Sequence, residues 1–173
     1  FTDVNQIARG IVANSYNSFF AGNADLINAS FHNVALRYSS FNLFNASNVF
    51  ARISYKKTAN QVNNNTIFEP GSVVSSSTSL NSPFDNESFN AFGRIGKTIK
   101  KIRTSLGGNF SYNKTYQFIN SRENTNESIS KGLNASIGTN YTKAPNVSLR
   151  YRVSFVDQSN SARATDVKSI THA

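Results

Sequence analysis

The sequence predicts an all-β fold of antiparallel, up-and-down strands forming part of a transmembrane barrel. Three observations carry that expectation: one very long alternating stretch, the same alternation repeated along most of the chain, and a composition that replaces charge with small polar residues.

The long stretch is Lys101 to Asn120. Every second residue from Ile102 to Phe118 is mainly apolar or aromatic, and the complementary set from Arg103 to Ile119 is mainly small and polar. Successive side chains of a strand point to opposite faces, so this ribbon has one oily side and one wet side. A half-buried strand of a soluble domain alternates for about five or six residues. This one persists roughly three times as long, on the order of 60 Å of rise, which predicts a strand that crosses something.

Composition sets the bounds. Only 16% of the 173 residues are charged, against about a quarter in ordinary soluble domains. Asn, Ser and Thr make up the difference, as a polar surface facing water inside a structure would require. There is no Cys, which excludes disulfides and thiolate metal sites. No run of 18 apolar residues exists, so no transmembrane helix is predicted, and a membrane barrel needs none. Phe1 is no initiator and no secretion signal follows it, so the sequence is expected to be a piece of a longer chain.

In chain order, residues 1–32 are expected to form an irregular entry segment, a loop with at most one short strand, because their apolar positions are scattered among turn residues such as Gly22-Asn23. Residues 33–160 are expected to hold six antiparallel barrel strands, with a long extracellular hairpin at 48–98. That hairpin turns at Glu69-Pro70-Gly71-Ser72, and Pro83 marks a bulge in its descending arm. A tight basic turn at Thr98 to Ile102 leads into the long ribbon, and Ser121 to Ser128 reads as a polar loop. Leu133 to Tyr141 then descends, Lys143-Ala144-Pro145-Asn146 turns the chain, and Val147 to Phe155 climbs. Residues 161–173 read as a loop leading to a missing strand. Long excursions then fall on one side and tight turns on the other, as in outer-membrane barrels.

The two parities assign faces. Lumen-facing candidates are Arg37, Arg52, Lys56, Arg94, Asn109, Asn113, Arg150 and Arg152; lipid-facing candidates are Leu36, Ile53, Leu106, Phe110, Tyr112, Ile137, Leu149, Tyr151 and Val153. An arginine on the lipid face at midplane would cost about 2 to 4 kcal/mol, so its place is the wet parity. Tyrosines on the apolar parity would supply an interfacial girdle. Phe50 and Phe92 fall on the wet parity, against the rule.

Several segments resemble a known family. Gly22-Asn23-Ala24-Asp25-Leu26, the run Phe31 to Lys57, the Asn-rich hairpin and the stretch Gly93 to Asn113 look like the barrel of Bacteroidetes TonB-dependent receptors and the related outer-membrane β-barrel family. The likeness spans residues 20 to 160, with Ala24 standing where the family pattern has Pro. It implies a larger barrel with an N-terminal plug, located in the bacterial outer membrane and importing an unidentified ligand with energy coupled through TonB. The implied partners are outer-membrane lipid, the plug and TonB.

Other motifs read more plainly as strand and turn. Ala91 to Thr98 is one residue short of a phosphate-binding loop, yet Glu87-Ser88-Phe89-Asn90 is no buried strand and Gly107-Gly108 would break a following helix. About ten Asn-x-Ser/Thr triplets, several in mid-strand, follow from the composition. The net charge of +9 raises nucleic acid as a partner, but Lys97, Lys100, Lys101 and Arg103 read as a solvated turn, and no nucleic acid is expected. Two distant histidines predict no metal, and Asp85, Glu87, Glu123 and Glu127 read as solvated loop charges. No nucleophile, base and orienting acid share a local signature, so neither enzyme activity nor a cofactor is expected. A surface barrel that only adheres, and a soluble secreted sandwich or solenoid, are the alternative readings.

Overall fold

A computed structural model of the chain describes residues 4–7, 10–68, 71, 73–161 and 165–172. One helical turn, α1 (Val4–Ile7), precedes eleven strands. These are β1 (Ile11–Ser15), β2 (Ser18–Ala21), β3 (Ser30–Asn42), β4 (Ser47–Ala59), β5 (Val62–Phe68), β6 (Ser75–Asn81), β7 (Asn86–Ile99), β8 (Ile102–Ile119), β9 (Arg122–Thr139), β10 (Ser148–Asn160) and β11 (Thr165–His172). All belong to one largely antiparallel sheet, and the protein is all-β.

Seven strands form a wall in the order β3-β4-β7-β8-β9-β10-β11, every neighbour antiparallel and no ladder interrupted by a register shift. Uninterrupted ladders keep the period of two in phase across the wall, so each hydrogen-bonded row presents one face. The turns are cut by local chemistry. Asn120 and Ser121 have φ of 51° and 59°, the left-handed pair of a two-residue hairpin turn. Lys100 (φ 55°) reverses β7 into β8, and the Asn146 carboxamide folds residues 140–147 by accepting from the Tyr141 N–H (2.6 Å) and donating to its carbonyl (3.0 Å). Among the described residues β3 and β11 each have a single neighbour, so the sheet is open at both sides.

The excursion between β4 and β7 forms a second region. β5 and β6 continue β4 and β7 as one hairpin, but the ribbon makes a half turn between them. Below the bend the descending arm, β7, lies beside β8; above it the ascending arm, β5, takes that place, pairing parallel through Asn65 with Phe118 and Thr66 with Ile119. Two-stranded ribbons twist strongly, and unpaired residues at the bend release the rest. Asn60 (φ 54°) and the Ser82 to Asp85 segment supply them. β2 then pairs parallel with β6, so the β1–β2 hairpin extends this flap.

The structure departs from the sequence reading at several places. Residues 1–32 hold a helical turn and a hairpin rather than a loop with at most one strand, and β3 starts at Ser30. The span 33–160 contains eight strands, because each arm of the hairpin at 48–98 is divided at its bend. Of its expected turn only Gly71 (φ 80°) lies within the described residues. Ser121 to Ser128 is not a loop: β9 begins at Arg122, and Glu123 and Glu127 are strand residues, as is Glu87. Both faces are polar there, which hides the period. Residues 165–172, read as loop, form β11 on β10. The division into long and short connections does not hold either, since the 140–147 loop lies on the side expected to have tight turns and the β8–β9 turn is tight.

No apolar side chain is buried among the described residues. The buried ones are Asn65, Ser79, Ser82 and Asn124, all in or beside the flap. Leu106 and Leu149 are 61% and 69% exposed, so the wall does not close over a dry interior of its own.

Candidate functional site

The functional feature of the wall is the division between its two faces. One row of hydrogen-bonded partners runs Leu36, Ile53, Ala91, Phe110, Lys131, Phe155 and Ile170; the row beside it runs Arg37, Arg52, Phe92, Asn109, Gly132 and Ser154 on the other face. Extending the registers brings all eight lumen-facing candidates to one face and all nine lipid-facing candidates to the opposite one.

The apolar face is a band with edges. Tyr55, Phe89 and Tyr112 form an aromatic row, and the next row above it is Lys57, Glu87, Lys114 and Glu127. Lys114 Nζ lies 3.0 Å from Glu127, and Lys57 Nζ lies 2.8 Å from Asp85 at the ribbon bend. Hydrogen bonding to Asp85 holds Lys57 protonated above the usual lysine range, and Glu127 does the same for Lys114. On β7 the lower edge is Lys97. The band also shifts along the wall. Its apolar run is centred near Leu36 in β3 and near Tyr151 in β10, whereas the residue of β10 level with Leu36 through the ladders is Phe155.

The opposite face is a hydrogen-bonded polar layer. Ser105 and Ser136 hydroxyls meet at 2.7 Å, Arg94 donates to Ser105 at 3.3 Å, and Ser88 donates to Asn113 at 2.7 Å. Three cross-strand pairs set an asparagine against a glycine: Asn48 with Gly96, Asn134 with Gly107 and Asn109 with Gly132. A Cβ at Gly107 would stand 2.6 Å from Asn134 Oδ1 and 3.2 Å from the Gly93 carbonyl, so the carboxamide lies flat over bare backbone. Phe50, unexpected on this face, is covered by the Arg37 guanidinium at 5.0 Å and packs against Phe92 at 5.8 Å, a cation–π and aromatic contact that keeps both rings occupied.

Arg103, which opens the wet set of the long ribbon and also reads as part of the basic turn, stands on the polar face through its register with Thr98 and Gly138 and borders the same hollow as Arg150. Sequence reasoning misses the charged residues within the apolar parity. Lys131, Asp157 and Lys168 share the apolar parity of β9, β10 and β11. The alternation of β9 and β10 read residue by residue would have found Lys131 and Asp157; the Asn–Gly pairs need the register as well.

No protein-family model, curated protein or solved structure matches this chain. Function therefore rests on what the two faces can do. Among the described residues no helix is long and apolar enough to cross a membrane, which says nothing of strands, and no three metal-ligating side chains gather.

Proposed function

We propose that this chain builds part of the wall of a bacterial outer-membrane β-barrel, with the apolar face against hydrocarbon and the polar face lining water. The resemblance noted over residues 20 to 160 narrows the reading to a TonB-dependent importer, whose plug and remaining strands would complete the barrel and whose ligand is unidentified. The observation that carries the proposal is the bounded apolar band. Glu87 and Lys97 are ten residues apart on β7, roughly 34 Å along a strand. Tilted by about 30 to 40°, that length spans about 26 to 29 Å of height, near the 25 Å apolar belt of such barrels.

The lateral shift of the band supports the same reading. Rows of hydrogen bonds run perpendicular to strands, whereas a membrane cuts tilted strands obliquely. The band falls by four residues, from Phe155 to Tyr151, over the five ladders from β3 to β10. With a 3.4 Å rise and 4.8 Å between strands, that slope is a tilt of about 30°, just below the roughly 35 to 45° usual in barrels. A soluble sandwich, by contrast, needs one face buried against a second sheet.

Single-cysteine labelling tests this directly, since the chain has no native cysteine. In outer membranes carrying the full-length protein, Ser111→Cys should react with a membrane-impermeant maleimide and Leu106→Cys should not. Equal reactivity, or the reverse order, would reject the wall reading. Import is tested by ligand-dependent growth in cells with and without TonB; growth independent of TonB leaves the adhesive barrel as the better reading.

A further inference from the structure

We propose that the lower half of the polar face binds a small polyanion, a molecule with two or more carboxylate or phosphate groups, between arginines of β7, β8 and β10. The inference deepens the lumen reading and rests on that face being open to water.

Charge is segregated by face to a degree that solubility does not require. The polar face of the wall carries Arg37, Arg52, Arg94, Arg103, Arg122, Arg150 and Arg152, and its parity includes no Asp or Glu on any strand from β3 to β10. Glu87, Glu123, Glu127 and Asp157 all take the opposite parity. None of the seven arginines makes an ion pair among the described residues. Like charges gathered without counter-ions raise the local concentration of anions and favour a bound one.

Geometry turns that field into a site. Four of these arginines, Arg94, Arg103, Arg150 and Arg152, border an open hollow of about 450 Å³. Arg94 and Arg152 belong to one hydrogen-bonded row, with Gly107 and Asn134 between them. Three strand spacings separate their backbones by roughly 14 Å, so the two arms reach over the interval from both sides. The floor is low and neutral: Gly107 and Gly138 have no side chain, Asn134 lies flat across Gly107, and Ser105 and Ser136 bond to each other. Ser105 also holds the Arg94 guanidinium, fixing one donor fork. Planar guanidinium forks match carboxylate and phosphate oxygens in pairs, a geometry that lysine does not offer.

The test is titration calorimetry of the full-length protein in detergent micelles at low salt, with citrate and pyrophosphate as probes. Both should bind, and glycerol should not. Arg150→Gln/Arg152→Gln should weaken citrate at least a hundredfold, Arg94→Gln about tenfold, and Lys131→Gln, on the other face, less than twofold. Should the double variant fail to fold, Arg152→Lys keeps the charge and should still lose several-fold. Equal losses for Arg152→Gln and Lys131→Gln would show diffuse attraction and overturn the site, as would a single-stranded oligonucleotide binding tighter than citrate. Cysteine labelling at Ser136 and Ser111 separates the two levels of failure. If citrate does not bind while Ser111→Cys reacts with the impermeant maleimide, the anion site fails alone, whether Ser136→Cys reacts or is covered by the plug; if neither cysteine reacts, the lumen reading fails with it.

Discussion

The wall and the flap are made from the same few residue types and are held together in different ways. In the wall, backbone ladders carry the structure and the side chains sort into two faces, the apolar one crossed by few polar contacts, among them Tyr151 with His172 (2.6 Å), Tyr55 with Glu87 (3.1 Å) and Lys114 with Glu127 (3.0 Å). In the flap, side chains bond to backbone: Asn63 Nδ2 donates to the Tyr116 carbonyl (2.8 Å), Asn81 Nδ2 to the carbonyls of Ile27 and Asn60 (2.8 Å each), and Asn120 Oδ1 accepts from the Phe68 N–H (2.7 Å). The strands β5 and β6 are polar on both faces over most of their length, so alternation alone specifies their register weakly. Carboxamides supply the missing specificity, because a buried donor or acceptor tolerates few alternative pairings. On the proposed reading the wall is stabilised by lipid and the flap by its own polar groups, so the two should respond to different injuries.

The largest expected effect belongs to the apolar face. In lipid vesicles, Leu106→Arg should lower unfolding free energy by about 2 to 4 kcal/mol, measured by urea titration of the β-sheet circular dichroism signal. Ser111→Arg, on the polar face of the same strand, should stay within about 0.5 kcal/mol. If the two substitutions cost the same, the wall has no lipid side.

Two glycines one strand apart sharpen the contrast between faces. Gly107→Ala forces Asn134 aside and crowds the Gly93 carbonyl, an overpacking cost of about 1 to 3 kcal/mol. Nothing lies within 4 Å of the place a Cβ would take at Gly93, so Gly93→Ala should be neutral, or stabilising by up to about 1 kcal/mol through the unfolded state.

The flap is tested at Asn65, which is 5% exposed, donates to Ser121 Oγ (3.1 Å) and accepts from the Ser121 N–H (3.0 Å). Asn65→Ala should cost about 1 to 2 kcal/mol. The decisive readout is its location: hydrogen exchange should accelerate in β5, β6 and the β8–β9 turn while β9 and β10 keep their protection. Acceleration across the whole wall would mean that the two regions form one cooperative unit.

The same contrast explains what could be read from the residues alone. β4, β8 and β10 alternate strongly because their two faces differ in residue type at every second position. Above the band both faces are polar, so Arg122 to Ser128 loses its period although the strand continues. The flap reads from sequence as two straight arms because the half twist depends on which arm pairs with β8, a choice made by Asn65 and Asn120 through contacts distant in sequence. The faces of the candidate site were legible for the same reason as the strands, whereas the hollow was not: it needs Arg94 and Arg152 placed on one row by ladders through Gly107 and Asn134.

A pH dependence separates the charged edge from both regions. The Lys57 contribution from Asp85 should be complete below the ordinary lysine range and fade as pH rises through its raised value. Melting followed upward from pH 9 should therefore fall more steeply for the native protein than for Asp85→Asn, and parallel curves would remove this pair from the account.

The smallest effect is the most specific to the membrane geometry. Leu36 and Lys131 lie on one row of hydrogen bonds, so a membrane parallel to that row would put the ammonium at the depth of a leucine. Tilt changes this. If the band descends from β3 toward β10, Lys131 stands closer to the upper edge than Leu36 does, near Asp157 and Lys168, where a basic residue costs only about 0 to 1 kcal/mol. Lys131→Leu should then stabilise the protein by less than about 1 kcal/mol, while Leu36→Lys should cost two or more times as much. A gain of about 2 to 4 kcal/mol from Lys131→Leu would place the lysine at midplane and remove the tilt.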